Sequence, residues 1–157
     1  MNPRVFMKRY RHYISVILTL LLFCSLFLFR GNLIRYASRT MTDGMETTTK
    51  NSMEDALSAQ YDYTRNKQEY QYTLLEFGAV GCHSCQQMES VMKEIKEEYD
   101  SRVNVVFVNV RHKENESLVN YFGIVTIPTQ ILLDKKGKEY FRHGGYWSAN
   151  EIAKHFR

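Results

Sequence analysis

Two cysteines three residues apart, in Cys82-His83-Ser84-Cys85, have the chemical type and the spacing for dithiol–disulfide work. They follow the apolar run Thr73-Leu74-Leu75-Glu76-Phe77 and precede a stretch of helical periodicity. A disulfide over so short a separation closes only where the chain turns tightly, and a strand-to-helix junction supplies that turn. The same junction offers unpaired backbone N–H groups, which favour a thiolate on Cys82. Two other readings compete: half of a structural zinc site, or a pair of unrelated buried cysteines. Zinc needs four ligands, yet there is no second cysteine pair, and His83, His112, His143 and His155 are scattered. Gln86 stands where a c-type haem site would need a histidine.

The elements that must hold these thiols are legible as an alternation. Asn51 or Ser52 opens a first helix running to about Arg65, and Tyr72 to Phe77 reads as an apolar strand. Cys82 to about Tyr99 is a helix with Met88, Val91, Met92, Ile95 and Tyr99 on one stripe, so its methionines read as core residues. Val103 to Val110 is a strand with almost no polar positions, as expected if both of its faces are buried. Glu114 to Phe122 makes a short helix stopped by Gly123. Gln130 to Asp134 and Glu139 to His143 form an antiparallel pair around the turn Lys135-Lys136-Gly137-Lys138. Gly144-Gly145 breaks the last strand, and Ser148 with Glu151 forms a capping box for the final helix. The order is α, β, α, β, α, β, β, α.

Ahead of this domain, Ile14 to Phe29 carries no charge and is flanked by Arg4, Lys8, Arg9 and Arg11 on one side and Arg30, Arg35 and Arg39 on the other. We read a membrane anchor over residues 14–30, slightly short of the roughly 17 to 25 residues a spanning helix uses. A cleaved export signal is the alternative, but Arg35 lies two residues before Ala37, where a small side chain is wanted. Leu21-Leu22-Phe23-Cys24 resembles a lipoprotein box only superficially, because Phe23 is too large for its position. Residues 1–13 are expected to be a cytoplasmic tail, 31–51 a linker whose segment Ser38 to Lys50 is polar and without apolar periodicity and reads as a tether, and 52–157 the folded domain outside the cytoplasm. Residues 1–40 hold seven bases and no acid, while the rest has fourteen bases against seventeen acids. The basic balance thus belongs to the membrane flank, and no basic stripe for nucleic acid is present in the globular part.

This α/β order, with Cys-x-x-Cys at a strand-to-helix junction and Ile127-Pro128 before a later strand, resembles the thioredoxin superfamily over about residues 52–157. The chain looks most like the membrane-anchored, extracytoplasmic thioredoxin-like proteins of bacteria. The resemblance implies a central mixed four-stranded sheet flanked by helices, preceded here by one transmembrane helix. It implies Cys82 as the exposed nucleophile and Cys85 as the thiol that resolves the mixed disulfide. Glu76, six residues before Cys82, falls where thioredoxins carry a buried acid; burial would raise its pKa and make it a proton acceptor for Cys85. A solvent-facing edge position is the alternative for Glu76.

Pro128 resembles the family's cis proline, which would let Ile127 offer its backbone N–H and C=O to a substrate; a trans proline opening an edge strand is the alternative. The chain also departs from the family. Gly81 replaces the tryptophan before the first cysteine, His83-Ser84 replaces Gly-Pro, Gly78 stands where another tryptophan is common, and Phe107 where a lysine usually neighbours the acid. His83, when cationic, would stabilise the Cys82 thiolate and make the pair more oxidising.

The expected function is reduction of disulfides in exported proteins, with electrons resupplied by a transmembrane carrier protein and without a bound cofactor. The rivals are a disulfide oxidase or isomerase, a copper chaperone using Cys82, Cys85 and His143, and a redox-inert binding module.

Overall fold

The computed structural model describes residues 3–156, without the side chains of residues 3–10, His12 and Arg30. Two compact units divide between Ala37 and Ser38. The first consists of the greater part of helix α1 (Pro3–Asp43). Its side chains from Tyr13 to Phe29 are exposed all the way round, Leu28 to 77%. A helix that is apolar on every side has no face suited to water. Among the described residues no single helix is long and apolar enough to cross a membrane; Tyr13–Phe29 and Gly31–Asp43 meet that requirement only as a bent pair.

The second unit is built on a four-stranded sheet with strands β1 (Tyr72–Gly78), β2 (Val103–Asn109), β3 (Thr129–Leu133) and β4 (Glu139–Gly144), in the order β2-β1-β3-β4. β1 runs parallel to β2 and antiparallel to β3, and β3 runs antiparallel to β4. Residue alternation divides the core between the two faces. Leu75, Phe77, Ile131 and Leu133 pack with Leu57 and Tyr61 of helix α2 (Thr47–Tyr61) and with Tyr63 of the short α3 (Tyr63–Asn66). Phe122 and Ile124 join them, just after helix α5 (Glu116–Tyr121). On the other face Leu74 and Leu132 pack with Met88, Val91 and Ile95 of helix α4 (His83–Glu98) and with Ile152 of helix α6 (Ala149–Ala153). Each such fully buried aliphatic or aromatic side chain contributes about 1.5–3 kcal/mol.

Most elements lie where the sequence places them, and the capping box forms: the Glu151 carboxylate accepts from the Ser148 N–H at 3.2 Å and from its hydroxyl at 2.6 Å. Three expectations need correction. β2 is an edge strand, with Asn104 to Val106 half-buried and Phe107 44% exposed. An unbroken apolar run specifies a strand but not its neighbours, and here only one edge of β2 is paired.

The stretch 31–51 is not a featureless tether, because α1 continues to Asp43 and α2 starts at Thr47, before Asn51. Polar tertiary contacts fix its C-terminal part. The Ser38 hydroxyl donates to the Phe122 carbonyl at 3.4 Å and the Thr42 hydroxyl to that of Tyr121 at 3.4 Å, while Arg142 reaches Ser38 Oγ at 2.9 Å. Gly123, at φ +57, leaves room for this packing, since a Cβ there would collide with the Ser38 carbonyl. The helix expected over 114–122 is split into a 3-10 turn at Lys113–Asn115 followed by α5.

Candidate redox site

β1 delivers the chain to Gly78, and a loop that turns on Gly81 (φ +87) brings it to α4. Cys82 is the N-cap of α4, with extended backbone dihedrals. Its sulfur accepts the Cys85 N–H at 3.4 Å and lies 3.4 Å from the Ser84 hydroxyl. Cys82 and Cys85 are joined as a disulfide, with their Cα atoms 5.2 Å apart. The two sulfurs are unequal in access: Cys82 is half-buried, while Cys85, one turn inside, is 4% exposed. In the reduced pair, the helix N-terminal N–H groups would stabilise charge on the outer sulfur. His83 is exposed on the first turn of α4.

The Ile127–Pro128 bond is cis, with Pro128 buried and Ile127 half-buried. The Pro128 carbonyl accepts the Gly145 N–H at 2.8 Å. Phe77 pairs with Thr129, so the loop leading to Cys82 and the loop containing Pro128 leave the same end of neighbouring strands. Glu76 is fully buried in the middle of the sheet rather than at an edge facing solvent. It shares a sheet face with Leu74 and Gly78. A Cβ on Gly78 would sit 3.4 Å from the Cys85 sulfur, which places Glu76 on the face beneath the disulfide. Neither carboxylate oxygen has a hydrogen-bond partner. Burial pushes its pKa from the usual 4.5 up to about 8, and the neighbouring Gln130 amide moderates the rise.

Gln130, directly opposite Glu76 in the β1–β3 register and also fully buried, is a residue that sequence reasoning passed over. The signal available was a long amide inside the otherwise apolar strand 130–133. Phe107 is the partner of Glu76 on the other side, in β2. His143 is not gathered with the cysteines. Its ring stacks on Trp147 at 5.0 Å and its Nε2 lies 3.2 Å from the Tyr146 carbonyl. Among the described residues no three His, Cys, Asp or Glu side chains come together as a metal site.

The model of a family described as "Thioredoxin-like domain" matches residues 57–157. The chain belongs to the thioredoxin-like family. A thioredoxin from Alicyclobacillus acidocaldarius is 37% identical over 79 residues, covering 50% of this chain and 72% of the relative. The chloroplastic thioredoxin-like protein HCF164 of Oryza sativa subsp. japonica is 34% identical over 67 residues, which is 43% of this chain but only 26% of the relative. Its counterpart in Arabidopsis thaliana is likewise matched over 34% of its own length.

Among solved structures, the thioredoxin-like chain is similar to chloroplastic thioredoxin z, with a TM-score of 0.50 and 28% identity over 60% of this chain and 82% of that one. With the close cysteine pair Cys82–Cys85, the chain is a thioredoxin-like redox protein, and it spans only about a quarter to a third of the length of the HCF164 relatives.

Proposed function

We propose that the chain is a membrane-tethered disulfide reductase whose domain works outside the cytoplasm on exported proteins. The observation that carries the chemical part is the inequality of the two sulfurs above an unpaired, buried carboxyl group. The Cys82 thiolate attacks a substrate disulfide, so that one substrate sulfur leaves as thiolate and the other becomes bonded to Cys82. Glu76 takes the proton of Cys85; the resulting thiolate attacks Cys82 Sγ, and the electron pair of the broken bond departs on the second substrate sulfur. The substrate is then reduced and the pair oxidised, so a transmembrane electron-donor protein must return two electrons.

Ile127 would pair its backbone with an extended substrate chain beside Pro128, and His83 would touch the substrate from the first turn of α4. The apolar helical stretch 13–29, exposed along its length, supports the anchor at residues 14–30, and the cluster of bases in the short segment 1–13 favours a cytoplasmic side for it.

A trapping experiment tests this reading. In cells, a Cys85→Ala variant should accumulate mixed disulfides through Cys82 with exported proteins, and these should dissolve on reduction and be absent from Cys82→Ala. Failure to trap any partner, or trapping of cytoplasmic proteins alone, overturns it. The equilibrium potential against glutathione then separates reductase from oxidase, because a reductase must lie on the reducing side of its substrates.

A further inference from the structure

We infer that Gln130 is the positioning residue through which the buried Glu76 gains and loses its proton beneath Cys85. This rests on the proposed role of Glu76 as the proton acceptor for Cys85. The register sets Phe107, Glu76, Gln130 and His143 side by side across all four strands. Among the described residues, the buried side-chain polar atoms without a hydrogen-bond partner are both Glu76 oxygens and Gln130 Oε1. Such orphaned atoms are rare in folded proteins, and their concentration on two facing residues calls for a reason.

The reason lies in what an amide can do. Gln130 Nε2 donates to the Gly145 carbonyl at 3.2 Å, which anchors the amide at the end of β4. The opposite orientation would press Oε1 against that carbonyl, so the assignment is fixed by chemistry. One N–H and the whole of Oε1 are left over. When Glu76 is protonated, its O–H donates to Gln130 Oε1; when it is ionised, the second Nε2–H donates to the carboxylate. An aliphatic side chain could do neither, and a lysine only the second.

The surroundings offer no substitute. β2 presents Phe107, α4 presents Cys85 as its titratable group, and His143 of β4 stands one strand further away, engaged with Trp147. As Cys85 gives up its proton and attacks Cys82 Sγ, Glu76 becomes a carboxylic acid, and the Gln130 carbonyl receives its O–H. The acid returns its proton to water before the next cycle.

Gln130→Met keeps the length and removes both hydrogen-bonding functions, with Gln130→Leu in reserve if that variant does not fold. Two quantities are followed in the full chain in detergent: the pH midpoint of the Glu76 carboxyl carbon resonance, and the pH profile of thiol release from a preformed Cys82 mixed disulfide. The expected result is a midpoint at least one unit higher than in the wild type and a release rate at pH 7 about tenfold lower. Gln130→Asn, which retains a shorter amide, should recover part of the shift. A folded Gln130→Met protein with an unmoved carboxyl midpoint overturns the inference. A shifted midpoint with an unchanged release profile upholds Gln130 as the partner of the acid, but removes Glu76 from the resolving step.

Discussion

Glu139 and Glu76 belong to the same sheet and meet opposite circumstances. Glu139, on β4, holds Arg142 through two hydrogen bonds of 2.6 Å, and the free end of that guanidinium reaches Ser38 Oγ and the Phe122 carbonyl at 2.9 and 3.0 Å. Glu76, on β1, has no cation opposite and no hydrogen bond to either oxygen. A bidentate pair at the margin of the domain satisfies its charges and joins segments distant in sequence. A lone carboxyl group in a dry interior works against folding whenever it must ionise. Carboxylates that hold structure are satisfied where they stand; this unsatisfied one lies under a disulfide, where a movable proton has a use.

The contrast is most open to attack through stability. Glu76 titrates near 8 when folded and at the usual 4.5 when unfolded, so the unfolded chain loses its proton first. Its contribution to stability is therefore retained below pH 4.5, declines between 4.5 and about 8, and is constant above. Glu76→Leu should abolish this decline and raise stability at pH 8 by roughly 2–5 kcal/mol relative to its effect at pH 4. Denaturant unfolding of the oxidised chain across that range is the measurement. An unchanged pH dependence would mean that the two glutamates are alike after all.

Supplying Glu76 with a cation should sharpen the comparison from the other side. Phe107→Lys sets an ammonium on the neighbouring strand and should bring the carboxyl midpoint down by about 1–3 units, as read from its carbon resonance. The smallest effect belongs to the satisfied pair. Arg142→Ala should cost about 1–2 kcal/mol and speed amide exchange at residues 38–43 and 122–123, while alkylation of reduced Cys82 keeps its rate. Faster exchange around Glu76 instead would show that the two regions are not independent.

Much of this arrangement was legible beforehand, because local rules and tertiary packing agree there. Leu74 and Leu75 alternate between faces, Gly144-Gly145 ends a strand, Ser148 and Glu151 cap a helix, and the cysteines lie at a strand-to-helix junction. What escaped depends on contacts across the chain. Ser38 and Thr42 look like tether residues until the carbonyls of Phe122 and Tyr121 face them. The edge position of β2 is a matter of strand order, on which an apolar run is silent. Gln130 shows its importance only once the register sets it opposite Glu76.

Gly78 has one more implication, for how this scaffold can change. A Cβ at that position would come within 2.9 Å of Phe107 Cε2, so the ring from the adjacent strand already fills the volume that a larger residue there would claim. Family resemblance puts a tryptophan and a lysine at these two places, and this chain has in effect passed the bulky group from one strand to the next. The order of change is constrained: Phe107 can be replaced first, whereas Gly78→Trp becomes tolerable only after position 107 has shrunk or swung outward. Enlargement of Gly78 should therefore be inherited together with a change at Phe107, as a single unit of variation under the inner sulfur.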